Sequence, residues 1–317
     1  MKNILHIILI SIISLTFISC AKKSDSSSSS STCTSSDVSF LAVVASGTLL
    51  TSADGTCWTA QTSGTTNNLR AFAIKSNTIG VVVGFSGTIL TSSDGITWTS
   101  KTSGTTQHLL RVTYANSTFV AVGDSGTILT STEGTTWTSR TSGTSNYLNG
   151  LTHGNSIFVI VGSNGTILTS SDGSSWDNKT SGTTLDLYGV AYGNSTFLAV
   201  GANDDSNVDG FVITSSDGAT WDNKTSGNSN PFWGLTFGNN TFVVVCPSGA
   251  IYTSFDGTSG TGRTSGITND LWGITFGNSI FVTVSYGGDI LTSPDGISWT
   301  SRTSGTTNAL YDITYKE

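Results

Sequence analysis

Aromatic side chains stand at one equivalent position in four successive repeats of this 317-residue sequence, and they are the strongest candidates for binding chemistry. They are Tyr188, Trp233, Trp272 and Tyr311. The acidic residues Asp270 and Asp312 lie next to them in the sequence. Large rings beside polar groups stack on sugars or anchor a protein partner. We therefore predict that these six residues bind a protein or a glycan. The alternative is that the rings extend the hydrophobic core.

One polar loop offers oxygen ligands at alternate positions, namely Asp205, Asn207 and Asp209, followed by Gly210. This spacing matches the first half of a calcium-binding loop. However, Ser216 stands where such a loop carries its bidentate glutamate, which favours an ordinary solvated loop. No other cofactor is predicted.

The repeat is marked by tryptophans that recur about every 40 residues, a period typical of propeller blades with about four short strands. The markers are Trp58, Trp98, Trp137, Trp176, Trp221 and Trp299, and Gly260 takes their place in the sixth copy. We place each tryptophan on the fourth strand of its blade. The Asp-Gly pair before it, such as Asp94-Gly95, suits a tight turn, so we interpret the repeated aspartates as structural rather than catalytic.

The order of the strands indicates how the ring closes. Residues 38–61 supply the second, third and fourth strands of a blade, and residues 310–315 supply a final innermost strand. We therefore predict an all-β, seven-bladed β-propeller over residues 38–317. Its blades are four-stranded and antiparallel, and the C-terminal strand completes the first blade.

Charge argues against nucleic acid as a partner, because the chain has 20 acidic and 13 basic residues and a formal net charge of −7. Six basic residues share one repeat position, which we assign to the outermost strand: Lys101, Arg140, Lys179, Lys224, Arg263 and Arg302. Charges on the outermost strands keep exposed strand edges from pairing with other chains, so we predict a monomer.

The N-terminus has the layout of an exported protein. Residues 1–19 combine a basic start with the apolar run Ile4 to Ile18, as in a secretory signal peptide. The run ends at Cys20 in a segment that resembles the lipobox of bacterial lipoproteins, and the serine-rich residues 20–37 predict a flexible tether. We expect a bacterial envelope lipoprotein, periplasmic or surface-exposed at the outer membrane, that touches the membrane only through acylated Cys20. The alternative is an ordinary signal peptide with a coincidental cysteine.

Three further cysteines add little chemistry. Export permits disulfides, and the sequence leaves open whether Cys33 and Cys57 form one. Cys246 replaces a glycine of other repeats and is expected to be a small buried residue.

The element T-S-x-D-G-x-x-W with G-x-x-F-V-A-V-G resembles the repeats of BNR/Asp-box propellers. It resembles more closely their branch similar to photosystem II assembly and stability factors. The resemblance covers about residues 38–317 and implies the propeller fold. The usual Asp-box has a residue between Asp and Gly, whereas Asp94 and Gly95 are adjacent here. The family's sialidase activity implies several arginines around the central pocket, but only Arg70 and Arg111 lie on innermost strands, at different repeat positions.

These observations favour a binding or scaffold protein that is not an enzyme and that recognises a protein or glycan at the channel mouth. The main alternative is a sialidase-like glycoside hydrolase, which needs two carboxylates ~5–10 Å apart. The candidates for that pair are Asp186, Asp270 and Asp312. A third interpretation is an assembly factor that binds no small ligand.

Overall fold

A computed structural model describes residues 38–75, 79–202, 210–225 and 230–316. The predicted signal peptide and tether, including Cys20 and Cys33, lie outside the described residues. The predicted calcium ligands Asp205, Asn207 and Asp209 lie outside them as well. Within the described ranges, no helix has the length and apolar character needed to cross a membrane.

The described chain forms 28 strands in seven sheets of four antiparallel strands, and each sheet is one blade. The innermost strands are β4 (Leu69–Lys75), β8 (Leu109–Ala115), β12 (Leu148–Gly154), β16 (Asp186–Gly193), β20 (Gly234–Gly238), β24 (Leu271–Gly277) and β28 (Leu310–Tyr315). The second strands are β1 (Phe40–Val44), β5 (Ile79–Gly84), β9 (Thr118–Gly123), β13 (Ile157–Gly162), β17 (Thr196–Ala202), β21 (Thr241–Val245) and β25 (Ile280–Ser285).

The outer half of each blade is made of shorter strands. The third strands are β2 (Thr48–Ser52), β6 (Ile89–Ser92), β10 (Ile128–Ser131), β14 (Ile167–Ser170), β18 (Gly210–Ser215), β22 (Ala250–Ser254) and β26 (Ile290–Ser293). The outermost strands are β3 (Thr59–Thr62), β7 (Thr99–Lys101), β11 (Thr138–Arg140), β15 (Asp177–Lys179), β19 (Asp222–Thr225), β23 (Thr261–Thr264) and β27 (Thr300–Arg302). In five blades a short 3₁₀ turn joins the second strand to the third: η1 (Ala45–Gly47), η2 (Phe85–Gly87), η3 (Asp124–Gly126), η4 (Ser163–Gly165) and η5 (Pro247–Gly249).

The last strand closes the ring as the sequence predicted. β28 pairs antiparallel with β1, and the first blade has the strand order β28-β1-β2-β3. Phe40 lies opposite Tyr315, and Ala42 lies opposite Ile313. The Lys316 N–H also donates to the Ser39 carbonyl at 2.7 Å. The seven-bladed, four-stranded architecture and its closure by the C-terminal strand are therefore confirmed.

Both faces of a second strand are buried, because each blade packs between two neighbours. In β1, Phe40, Ala42 and Val44 pack with Val282 and Val284 of β25 on one side. Leu41 and Val43 pack with Phe72 of β4 and Val82 of β5 on the other side. Alternate residues of a strand point to opposite faces, so two buried faces require a continuous apolar run. A fully buried Val, Leu or Phe contributes roughly 1.5–3 kcal/mol.

The Asp-Gly turns have the structural role predicted for them. Asp94 Oδ1 accepts the N–H groups of Ile96 at 2.8 Å and Thr97 at 2.7 Å, and Gly95 adopts a φ of 76°. These hydrogen bonds lower the pKa of Asp94, the one from the Thr97 N–H most. The sequence predicted that the marker tryptophan lies on the outermost strand, but the structure places it one residue before that strand. Trp176 precedes β15, and its Nε1 donates to the Gly173 carbonyl at 3.1 Å.

The repeated basic residues lie on the outermost strands, as the sequence predicted. Arg140 Nε donates to Thr130 Oγ1 on the neighbouring strand at 2.8 Å. Arg302 Nε donates to Thr292 Oγ1, also at 2.8 Å. Each arginine therefore lies along the edge of its own sheet and has an acceptor there.

Candidate binding site at the channel mouth

The seven innermost strands surround a central cavity of about 520 Å³. Many of the residues that line it have apolar side chains, but the surface that faces the cavity is mostly polar and includes the charged residues Arg111 and Asp312. The innermost strands begin at the end of the cavity where the 3₁₀ turns lie. For example, the Phe85 N–H of η2 donates to the Asn68 carbonyl directly before β4 at 2.9 Å. We call this end the channel mouth.

A β-bulge distinguishes the second position of the innermost strand from its neighbours. In β24 the pairing with β25 passes from Leu271 to Gly273 and omits Trp272. The same shift omits Arg70 in β4 and Tyr311 in β28. Because a bulge leaves one residue unpaired and redirects its side chain, the strict inward–outward alternation stops here. Tyr311 still packs against the core cluster that includes Leu41 and Phe72, so it both extends the core and lies at the mouth.

Three of the predicted aromatic residues contact one another at the mouth. The ring centroids of Trp233 and Trp272 are 5.1 Å apart, and those of Trp272 and Tyr311 are 5.8 Å apart at an interplanar angle of 70°. Tyr286 follows β25, lies 6.2 Å from Trp272 and is 57% exposed. We call Trp233, Trp272, Tyr286 and Tyr311 the aromatic cluster. Tyr188 occupies the equivalent bulge of β16 and is half-buried.

Arg70 extends into the aromatic cluster from β4. Its Cζ lies 4.6 Å from the ring centroid of Tyr311, 5.2 Å from that of Trp272 and 5.8 Å from that of Phe85. These distances are those of cation–π contacts. Burial lowers the pKa of Arg70 to about 10, and the positive charge of Arg111 acts in the same direction. The guanidinium therefore stays charged at neutral pH, although rings surround it.

Two buried donors at this point have no acceptor among the described residues, namely Arg70 Nε and Trp272 Nε1. Arginine and the tryptophan indole can only donate hydrogen bonds, so neither can satisfy the other. Burying a donor without a partner carries a desolvation cost that a hydrogen bond would offset. The aromatic cluster is therefore not a fully satisfied piece of core.

Two acidic residues, one at the start of an innermost strand and one directly before such a strand, accept hydrogen bonds from the 3₁₀ turns. Asp186 Oδ1 accepts the Asn164 N–H at 2.8 Å, and Asp270 Oδ1 accepts the Ser248 N–H at 2.9 Å. Asn164 and Ser248 adopt φ angles of 55° and 56° in the middle of their turns, a conformation that few non-glycine residues adopt. Asp270 is thus engaged by the backbone. Its role in binding a ligand remains a prediction.

His108 forms the same kind of turn contact, because its Nδ1 accepts the Ser86 N–H at 3.0 Å. The His108 ring stacks on Phe85 at a centroid distance of 4.1 Å and an angle of 5°. The Arg70 Cζ lies 5.8 Å from the centroid of the Phe85 ring. The row of rings therefore continues from the aromatic cluster past Arg70 to His108.

Asp312 lines the cavity just below the aromatic cluster. Its Oδ1 accepts the Ile313 N–H at 2.9 Å. Burial raises the pKa of Asp312, and the charges of Arg111 and Arg70 oppose that shift. Arg111 Nη1 donates to the Leu110 carbonyl at 2.9 Å. The charges that act on Asp312 are therefore cationic, and they differ from the second carboxylate that a glycoside hydrolase requires.

The other predicted candidates are metal ligands and cysteines, and among the described residues they add no metal site or reactive thiol to the channel mouth. No group of three or more His, Cys, Asp or Glu residues in the described ranges could hold a metal ion. Cys246 is buried and free, and burial raises its pKa. Cys57 is disulfide-bonded, while its predicted partner Cys33 lies outside the described residues.

Sequence reasoning placed four aromatic residues at one repeat position but did not assign Arg70, Phe85 or Tyr286 to the site. Arg70 stands at the same repeat position as Trp272 and Tyr311, and a lone arginine among aromatics was the available signal. Tyr286 follows β25 at the repeat position that Phe85 holds after β5, a position that varies between the repeats. Its contact with Trp272 depends on the tertiary structure.

Solved structures show the same fold at low sequence identity. A structure described as YCF48 bound to D1 peptide matches with a TM-score of 0.68 and 17% identity, over 86% of this chain and 91% of that one. YCF48 from Cyanidioschyzon merolae matches with a TM-score of 0.58 and 17% identity, over 75% and 86%. The WD40 β-propeller domain of Doa1 matches with a TM-score of 0.61 and 13% identity, over 84% and 88%. Identities this low show the fold alone.

No family model matches this chain. No curated protein matches it either.

Proposed function

We propose that this chain is an envelope-anchored binding or scaffold propeller that recognises a protein partner at the channel mouth. One observation carries the proposal. The aromatic cluster surrounds a charged arginine, has an exposed edge at Tyr286 and retains buried donors without acceptors. Trp, Tyr and Arg are the residues that most often dominate binding energy at protein interfaces. The cluster therefore has the composition of an interface rather than of a core.

Two comparisons favour a protein partner over a glycan. The repeats resemble those of the branch similar to photosystem II assembly and stability factors. A structural neighbour of this chain, YCF48, has been solved with a D1 peptide bound. At 17% identity the likeness shows only the fold, so the peptide-binding role of this chain is our proposal. The chemistry of the aromatic cluster supports it independently.

Anchoring through Cys20 completes the proposed function, because a tethered propeller would be held near partners at the membrane. The support comes from the apolar run that ends at Cys20 and from the serine-rich segment after it. Metabolic labelling with a palmitate analogue tests the anchor. We expect label on the wild-type chain and none on Cys20→Ala, and equal labelling of the two would contradict the anchor.

The hydrolase alternative finds less support. Asp186 and Asp270 are engaged with turn amides, and Asp312 lies near arginines. A screen of aryl-glycosides addresses it directly. Turnover by the wild-type chain that disappears in Asp312→Asn would establish an enzyme and overturn the proposed function.

In-cell crosslinking followed by mass spectrometry tests the proposed function. The informative variant combines Trp233→Ala with Trp272→Ala, which removes the centre of the aromatic cluster. The matched control is Phe255→Ala. This ring is 64% exposed in the turn after β22, and the Phe255 carbonyl accepts the Asn194 side chain from the far ends of the blades. We expect the double variant alone to lose the partner, and loss in both or in neither would contradict the proposal.

A further inference from the structure

The Arg70 guanidinium contacts the rings of Tyr311, Trp272 and Phe85. Among the residues that the structure describes, no carboxylate oxygen lies within the 4.0 Å of an ion pair with Arg70 or Arg111. Arg70 Nε is buried and has no acceptor. A buried charge is stabilised well only when a hydrogen-bonded counter-charge accompanies it. Arg70 is therefore a cation with ring contacts and no ion-pair partner within the described part of the chain.

The other donor at the same place lies on the ring that Arg70 touches. Arg70 Cζ is 5.2 Å from the Trp272 ring, and Trp272 Nε1 is also buried without an acceptor. An arginine and an indole N–H can only donate, so the group that completes the site must accept several hydrogen bonds. A planar anion with two oxygens matches the arginine fork and has lone pairs left to accept the indole N–H as well.

The surrounding charges favour a singly charged anion. Arg111 is close enough to lower the pKa of Arg70, which shows that the two guanidiniums repel each other. Asp312 and Asp124 act on Arg70 with the opposite sign. Burial already raises the pKa of both acidic residues, so a dianionic phosphate would bring more negative charge into this environment than a carboxylate would. A carboxylate supplies two acceptor oxygens at the cost of one charge.

From these observations, and resting on the proposed function, we propose that Arg70 and Trp272 Nε1 together bind a carboxylate of the partner peptide. The carboxylate is the chain terminus or an Asp or Glu side chain. The exposed edge of the aromatic cluster at Tyr286 then packs against the adjoining apolar residue of the peptide. Arg111 assists through its charge from the cavity wall.

Three acetylated tripeptides separate the sources of the carboxylate. The first is alanine-leucine-phenylalanine with a free C-terminus, the second is the same peptide amidated, and the third is amidated alanine-leucine-glutamate. Binding is followed by ¹H–¹⁵N NMR of the Trp272 indole and the Arg70 Nε–H signals. We expect both signals to shift with the first or the third peptide, and the amidated first peptide to bind at least tenfold more weakly. Failure of both carboxylate peptides to shift these signals at millimolar concentration would overturn the inference.

Arginine variants complete the test. Arg70→Gln should weaken carboxylate binding at least tenfold, and Arg70→Lys should bind with intermediate affinity because it keeps the charge but loses the fork. Arg140→Gln is the matched control, since that arginine already has a threonine acceptor on its own sheet. Thermal melts confirm that each variant is folded. Wild-type affinity in a folded Arg70→Gln would overturn the inference.

The in-cell experiment distinguishes this inference from the proposed function. A partner that is lost in the double tryptophan variant but kept by Arg70→Gln would leave the proposed function intact and refute the carboxylate site. Carboxylate peptides that bind while no partner is recovered from the wild-type chain would refute the proposed function and keep the site. Loss of the partner in both variants would support the two together.

Discussion

Ile313 offers a quantitative test of ring closure, because its side chain lies where the last strand meets the first blade. It is 3% exposed and packs in one core cluster with Phe40, Trp58 and Val282. Ile313→Ala removes buried methyl and methylene groups and leaves a cavity, which typically costs about 2–5 kcal/mol. In a domain of this size each kcal/mol lowers the melting temperature by ~2–4 °C, so we expect a decrease of about 4–20 °C.

The matched control is Ile297→Ala, whose side chain is 48% exposed in the turn before β27. A surface substitution of this kind changes the free energy of unfolding by no more than about 0.5 kcal/mol. Thermal melts followed by near-ultraviolet circular dichroism measure both variants. Equal melting temperatures for Ile313→Ala and Ile297→Ala would refute the packing of β28 onto the first blade.

Three further predictions follow from local geometry. Hydrogen bonds lower the pKa of Asp94, so its contribution to stability is fully present above about pH 4 and declines progressively as the pH falls from there through the lowered native pKa. Urea unfolding at pH 7 and pH 2.5 should therefore show that Asp94→Ala lowers stability much more at pH 7, and an equal effect at both values would contradict this. Gly126→Ala should prevent folding, because its Cβ would lie 2.0 Å from a threonine carbonyl oxygen. Gly143→Ala, at a similar positive φ in open space, should cost only ~1–2 kcal/mol in urea unfolding, and similar effects for the two would be inconsistent with the turn geometry. Arg70→Met should keep or raise the melting temperature of the free protein, since a half-buried arginine whose Nε is buried without an acceptor among the described residues is replaced by an apolar chain, and a large decrease would show that Arg70 stabilises the fold.

The repeat made the fold predictable from the sequence. Residues such as Phe40 and Ile313 belong to sequence patterns that are repeated seven times. Periodicity and strand order were therefore sufficient to infer the blades and the closure of the ring of blades. The repeated Asp94-type turns were predictable for the same reason, because local hydrogen bonds and a positive-φ glycine determine them. Local chemistry and repetition together specify this scaffold.

The site was only partly predictable, because it is built where the repeats differ. The aromatic position of Trp272 could be found by comparing copies, but the bulge that redirects its side chain could not. The contact between Arg70 and Trp272 joins residues that are far apart in the sequence and on different blades. Such a contact depends on how the seven blades curve around the central cavity. Asp270 is the opposite case. The sequence predicted that it binds a ligand, but in the structure it accepts a hydrogen bond from the Ser248 N–H of a turn.

Site-specific photo-crosslinking in cells tests most directly whether the mouth binds a protein. The photoreactive amino acid p-benzoylphenylalanine replaces Tyr286 at the exposed edge of the aromatic cluster in one strain and Phe255 at the opposite ends of the blades in another. We predict a discrete protein adduct from position 286, absent from position 255 and lost when Trp233→Ala and Trp272→Ala are added. An adduct of equal yield from both positions, or one that survives the double substitution, would contradict recognition at the channel mouth.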